Sequence, residues 1–186
     1  MTRVSAAALV VVALAAGLAL RLARLDSRPM HHDEANQAVK FGALVEHGDY
    51  RYDTHDHHGP TLYYFTLPSA WLRGQTRLAA LDETTIRLVP VAFGVATILL
   101  VPLLAPGMGR TAAAAAALLT AVSPAMVYYS RMYIQESLFT CFTLAFVIAL
   151  GRAVTGTGLR WPALGGVAAG LAMATKETAV IVLPAA

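Results

Sequence analysis

Long apolar stretches alternate with short polar corners along most of the chain. A helix crossing the ~30 Å hydrocarbon core of a bilayer needs about 20 apolar residues. The first such stretch covers 4–22, interrupted by Ser5 and, near its end, Arg21. Further spans are expected over 84–106, 111–128, 132–151 and 161–174, with the start of another over 178–186. Asp82 is placed to cap the second span, and Trp161 to anchor the fifth at the interface. Between the first two spans lies a polar loop, 23–83, that carries two short helical patterns of its own. Over 33–47, Ala35, Ala38, Val39, Gly42 and Val45 recur at helical spacing. Over 60–72, Pro60 suits the first position of a helix too short to cross. Tyr63, Tyr64 and Trp71 suit it to lie along the membrane surface. The expected fold is all-α, a polytopic transmembrane helical bundle with two interfacial helices in its first loop.

Composition agrees with that pattern. The chain is 57% hydrophobic and 13% charged, against about 25% charged residues in soluble domains. Disorder and an ordinary cytosolic enzyme are thereby excluded. The net charge of +3 comes from 14 Lys and Arg that form no stripe, so no nucleic-acid partner is expected. The single cysteine, Cys141, lies in an apolar run and builds no disulfide framework. Arg3 before an apolar run resembles a signal peptide, but the spans that follow favour an uncleaved anchor. Because the last apolar stretch stops at Ala186, the 186 residues read as the N-terminal part of a longer membrane domain.

Charge then sorts the loops. Alternating spans put the N-terminus, 107–110 and 151–160 on one side, and 23–83, 129–136 and 174–178 on the other. All 11 acidic residues and all 6 histidines fall on this second side, while the first carries Arg3, Arg110, Arg152 and Arg160. The positive-inside rule places the first side in the cytoplasm and the acidic side outside it. The 23–83 loop has several arginines as well, but its length puts it at the limit where the rule applies.

Three corners carry the candidate chemistry. In His31-His32-Asp33-Glu34 the acids open a helix, where the dipole favours an ionised carboxylate. Such a group is either a helix cap or a general base. The stretch Tyr52-Asp53-Thr54-His55-Asp56-His57-His58-Gly59-Pro60 is either a solvated or substrate-contacting turn, or a divalent-metal site with His55, His57 and Asp56 as candidate ligands. Adjacent histidines cannot readily face one ion from a regular strand, which weighs against the metal. Glu136, at the bilayer edge, is a candidate functional acid with Arg131 as its candidate ion-pair partner. Lys176 is either a snorkelling anchor or a point charge for phosphate. Acids and cations converging on one membrane face suit a reaction on a phosphate-bearing lipid.

The order of these features resembles the GT-C class of lipid-phosphate-dependent glycosyltransferases. That class includes the protein O-mannosyltransferases, the aminoarabinose transferases of lipid A and the dolichyl-phosphate-mannose mannosyltransferase-like proteins of bacteria. The carrying residues are His32-Asp33-Glu34-Ala35 after the first span, Gly59-Pro60, Tyr129-Ser130-Arg131 with Glu136, and Lys176. His31-His32-Asp33-Glu34 together with His57-His58-Gly59-Pro60-Thr61-Leu-Tyr-Tyr is closer still to the subfamily associated with lipid-linked-sugar flippase activity in archaeal N-glycosylation. The resemblance implies inverting transfer from a polyprenyl-phosphate sugar, on the extracytoplasmic face of the cell membrane, to a protein, lipid or glycan acceptor. It implies Asp33 as general base and Glu136 as the second-loop acid, a position more often Asp. His32, Glu34, His58, Arg131 and Lys176 would bind substrate, with Arg131 and Lys176 on the donor phosphate. A divalent metal cation serves some relatives only.

The competing reading is a non-catalytic flippase or transporter accessory protein. Transporters place charges and broken helices near the midplane. The span centres here carry no charge, which favours the enzyme.

Overall fold

The computed structural model describes residues 2–52, 58–156 and 158–185, and among these the chain is all-helical. The helices are α1 (Arg3–Leu22), α2 (His32–His47), α3 (Thr61–Leu72), α4 (Glu83–Leu100), α5 (Ala105–Met108), α6 (Arg110–Val122), α7 (Pro124–Tyr129), α8 (Glu136–Thr155), α9 (Arg160–Met173) and α10 (Ala179–Ala185). Among the described residues, three segments are long and apolar enough to cross a membrane: Val4–Leu22, Glu83–Met108 and Glu136–Thr155. A 3₁₀ turn over Val101–Leu104 joins α4 to α5, so the second of these segments continues without a loop.

Small residues set how closely the spans approach. α1 packs on α6 and α4 through Ala13, Ala117 and Ala121, all fully buried. Gly17 leaves room there for the tip of Ile98, whose Cδ1 would lie 2.5 Å from a Cβ and would have to turn aside for one. α8 packs on α4 and α9, with Ala168 and Ala172 buried on α9. Without a hydrophobic drive between helices in lipid, such close backbone approach is what dispersion and packing can use. Phe93 and Phe142 stack edge-on at 5.2 Å between α4 and α8, and Phe65 of α3 joins them from the bundle's end.

Two expected spans come out differently. The stretch 111–128 is broken at Ser123-Pro124 into α6 and α7. Pro124 has no N–H for the carbonyl of Thr120. The fully buried Arg21 meets that need, donating to Thr120 O at 3.3 Å and Ala121 O at 2.8 Å. Its positive charge thus sits at the C-terminal, negative end of α6. The stretch expected to be helical from 132 starts instead at Glu136, because Tyr133 gives its N–H at 2.9 Å to Glu34 rather than to a helical carbonyl.

Candidate active site

The three polar corners meet at one end of the bundle. The first is the start of α2, capped reciprocally: His31 Nδ1 accepts the N–H of Asp33 at 3.3 Å, and the Glu34 carboxylate accepts the N–H of His31 at 3.0 Å. The two neighbouring acids then part. Glu34 turns inward and is fully buried, held by Arg87 Nε at 2.8 Å, Arg87 Nη2 at 3.1 Å, Arg28 at 2.8 Å and the Tyr133 N–H. Burial pushes the Glu34 carboxyl upward. The Arg87 hydrogen bonds, the N–H groups of His31 and Tyr133 and the Arg87 charge outweigh it and hold the group below the usual carboxylate range. Arg87, also fully buried, donates in addition to Leu25 O at 2.8 Å and Arg28 O at 2.9 Å. One ion pair therefore fixes the first loop, α2, α4 and the 130–135 corner together. Burying two charges is costly unless every polar atom finds a partner, and this network supplies them.

Asp33 points the other way. It lines a cavity of about 120 Å³ together with Asn36, Gln37, His58, Gln135 and Glu136. Asn36 and Gln37 are one helical turn on from Asp33 and so share its face. Gln37 accepts from Gln135 Nε2 at 3.0 Å and from the Tyr63 hydroxyl, which ties α2 to α3 and to the start of α8. Burial pushes the Tyr63 hydroxyl up, so it stays a neutral donor. Tyr133 donates to Thr66 at 3.0 Å, closing the same wall.

The third corner docks on the first loop. Gly59 N–H donates to Thr175 O at 3.2 Å, His58 and Lys176 form an antiparallel bridge, and Thr61 donates to Thr175 Oγ1 at 2.8 Å. Gly59 is the residue this contact demands: a Cβ there would lie 2.0 Å from Ala174 O. The docking brings Lys176 Nζ to 2.7 Å from Glu136 Oε1 at the edge of the cavity. His58 has its Nδ1 buried without a hydrogen-bond partner among the described residues.

The structure thus gathers Asp33, Glu136, His58 and Lys176. It does not bring Glu34, His32 or Arg131 to the cavity. Glu34 is enclosed by Arg87. His32 is exposed beside Asn36, with Nε2 at 3.3 Å from the amide nitrogen. Arg131 donates to Leu20 O at 2.6 Å and Arg24 O at 3.1 Å, so it ties down the end of α1, and the partner of Glu136 is Lys176 instead. Asp53, His55, Asp56 and His57 lie outside the described residues. Among the described ones no cluster of three His, Cys, Asp or Glu could hold a metal, and Glu136 already faces a cation. Sequence reasoning passed over Asn36 and Gln135, whose signal was their spacing from Asp33 and adjacency to Glu136. It also passed over Arg87, a lone arginine at the mouth of an apolar span.

The family described as dolichyl-phosphate-mannose-protein mannosyltransferase matches residues 60–186, more than half of the chain. The chain belongs to this family. No curated protein matches it. Membership makes it a multi-pass membrane protein of the glycosyltransferases that use a polyprenyl-phosphate sugar donor. The match takes in the Glu136 and Lys176 corners and begins after Asp33.

Proposed function

We propose that this protein transfers a sugar from a polyprenyl-phosphate donor to an acceptor hydroxyl at the extracytoplasmic face, with Asp33 as general base. The observation that carries the reading is the shared cavity: Asp33, His58 and Glu136 line it, and Lys176 is paired with Glu136 at 2.7 Å. The acceptor hydroxyl gives its proton to the Asp33 carboxylate as its oxygen bonds to the anomeric carbon. The bond from that carbon to the phosphate oxygen breaks on the opposite side, which inverts the centre. The departing phosphate takes the bonding pair and meets the Lys176 ammonium, a compact charge with three donors. Glu136 holds Lys176 in place and completes the second-loop acid position. Asn36, Gln37 and Gln135 offer neutral amide groups to sugar hydroxyls. The extracytoplasmic assignment rests on the arginines gathered at the other end. The finer likeness to the subfamily associated with lipid-linked-sugar flippase activity rests on the His31–Glu34 segment, which precedes the matched stretch, together with the His57–Tyr64 segment, which runs into its start.

The test is transfer from a labelled polyprenyl-phosphate sugar in membranes bearing wild type or Asp33→Asn. Loss of transfer at equal protein level supports the base. Unchanged transfer removes Asp33 from the chemistry and leaves the accessory reading.

A further inference from the structure

The opposite end of the bundle carries a second feature that the reaction does not use. An apolar groove of about 330 Å³ runs between α4, α8 and α9, lined by Leu103, Phe142, Ile148, Trp161, Leu164 and Leu171. Its outer rim is open, with Val167 61% and Leu164 48% exposed. At its lower end it continues, through Leu103 and Ile148, into a hollow bounded by Gly151, Arg152 and Thr155. There the charge is of one sign. The Arg160 and Arg152 guanidiniums sit over the same Trp161 ring, 4.6 and 5.6 Å from its centroid. Every described acidic residue belongs to the loops and helix starts of the other end.

We propose that this groove binds an anionic phospholipid, one acyl chain along α8 and α9 and the phosphate between Arg152 and Arg160. An indole at the interface suits the level of the headgroup, and stacking on it presents two planar donor forks to one phosphate. Arg152 spends one N–H on Leu103 O at 3.2 Å, which leaves its remaining donors for the headgroup. Two cations with no acid beside them complement an anionic headgroup and have no use for a zwitterionic one. The occupant is a membrane lipid rather than the sugar donor, since the groove's charged end is the one remote from Asp33 and Lys176.

The experiment uses the full protein with every tryptophan except Trp161 changed to Phe, Trp71 among them, in symmetric vesicles. Its fluorescence is read against rising fractions of brominated phosphatidylglycerol or brominated phosphatidylcholine. Half-maximal quenching is expected at a several-fold lower fraction of the anionic lipid. Arg152→Gln with Arg160→Gln should erase the preference, and Arg152→Lys with Arg160→Lys should keep most of it, which separates lost charge from lost fold. Equal quenching by the two lipids overturns the proposal. So does a preference that survives the double Gln change, or no quenching at all, as when protein covers the groove. Release of quenching by unlabelled polyprenyl phosphate, but not by unlabelled phosphatidylglycerol, would assign the groove to the donor's tail. None of these readouts depends on sugar transfer.

Discussion

Asp33 and Glu34 are chain neighbours with opposite fates. The Asp33 side chain is 61% exposed and looks into the cavity; that of Glu34 is wholly enclosed by Arg87, Arg28 and two backbone N–H groups. Successive residues on a helix point about 100° apart, so one acid of a pair can enter the core while the other stays with solvent. The division has physical content. A carboxylate saturated with donors, its pKa depressed, is a poor proton acceptor and a strong clamp. One at a helix N-terminus with room before it can take a proton and lose it again. On the proposed reading, the acidic motif puts a clamp and a base in consecutive positions.

That contrast predicts two different failures. Asp33→Asn should lower sugar transfer by ~10²–10⁴-fold, the range of a lost general base, with thermal unfolding in detergent unchanged. Glu34→Gln should leave Arg87 buried beside a neutral partner, at a cost of about 3–5 kcal/mol, read as a lowered unfolding temperature and reduced protein level. Equal loss of stability in both variants would dissolve the distinction. The pH dependence sharpens it. The folded-state pKa of Glu34 lies below its unfolded value of ~4.3, so its stabilisation is complete above that value and fades as pH falls through the folded one. Unfolding temperature should therefore hold steady down to about pH 5 and drop below it, and Glu34→Gln should flatten that drop.

The fold class was legible because apolar runs of spanning length and clean polar corners are a one-dimensional signal. The gathering of acids at one end followed from alternation alone. What stayed hidden was which of two adjacent acids turns inward, since that depends on Arg87, more than fifty positions away in the chain. The partner of Glu136 was hidden for the same reason. Arg131 is nearer in sequence, but the Pro124 break and the turns of the 130–135 corner aim it at the open end of α1, and Lys176 arrives through the docking of Gly59. The break itself had a visible cause in Pro124, masked by the apolar residues on both sides.

The first loop and the third corner test whether the cavity is assembled by backbone contact. Gly59→Ala puts a methyl group into the Ala174 carbonyl, and backbone cannot yield as a side chain end can. Relieving it must open the bridge between His58 and Lys176. The expected cost is ~1–3 kcal/mol, with a rise in KM for the donor as Lys176 leaves its place beside Glu136. A stability loss with KM unchanged would mean that Lys176 acts independently of this docking.

The smallest effect is expected at Arg131, where resemblance and geometry disagree. If its guanidinium held the donor phosphate, Arg131→Gln would raise donor KM by one or two orders of magnitude. Instead both of its described bonds go to carbonyls at the end of the first span: Leu20 O, in the last turn of α1, and Arg24 O, just beyond it, which also accepts from Ser27. Removing them should cost about 1 kcal/mol and leave KM within twofold of wild type. Because Arg131 is also next to the corner whose Tyr133 N–H holds Glu34, the measurement should be paired with Glu34→Gln. Strong coupling between the two would mean that α1 and the clamp form one unit, and additivity would mean that the clamp secures the site without the first span.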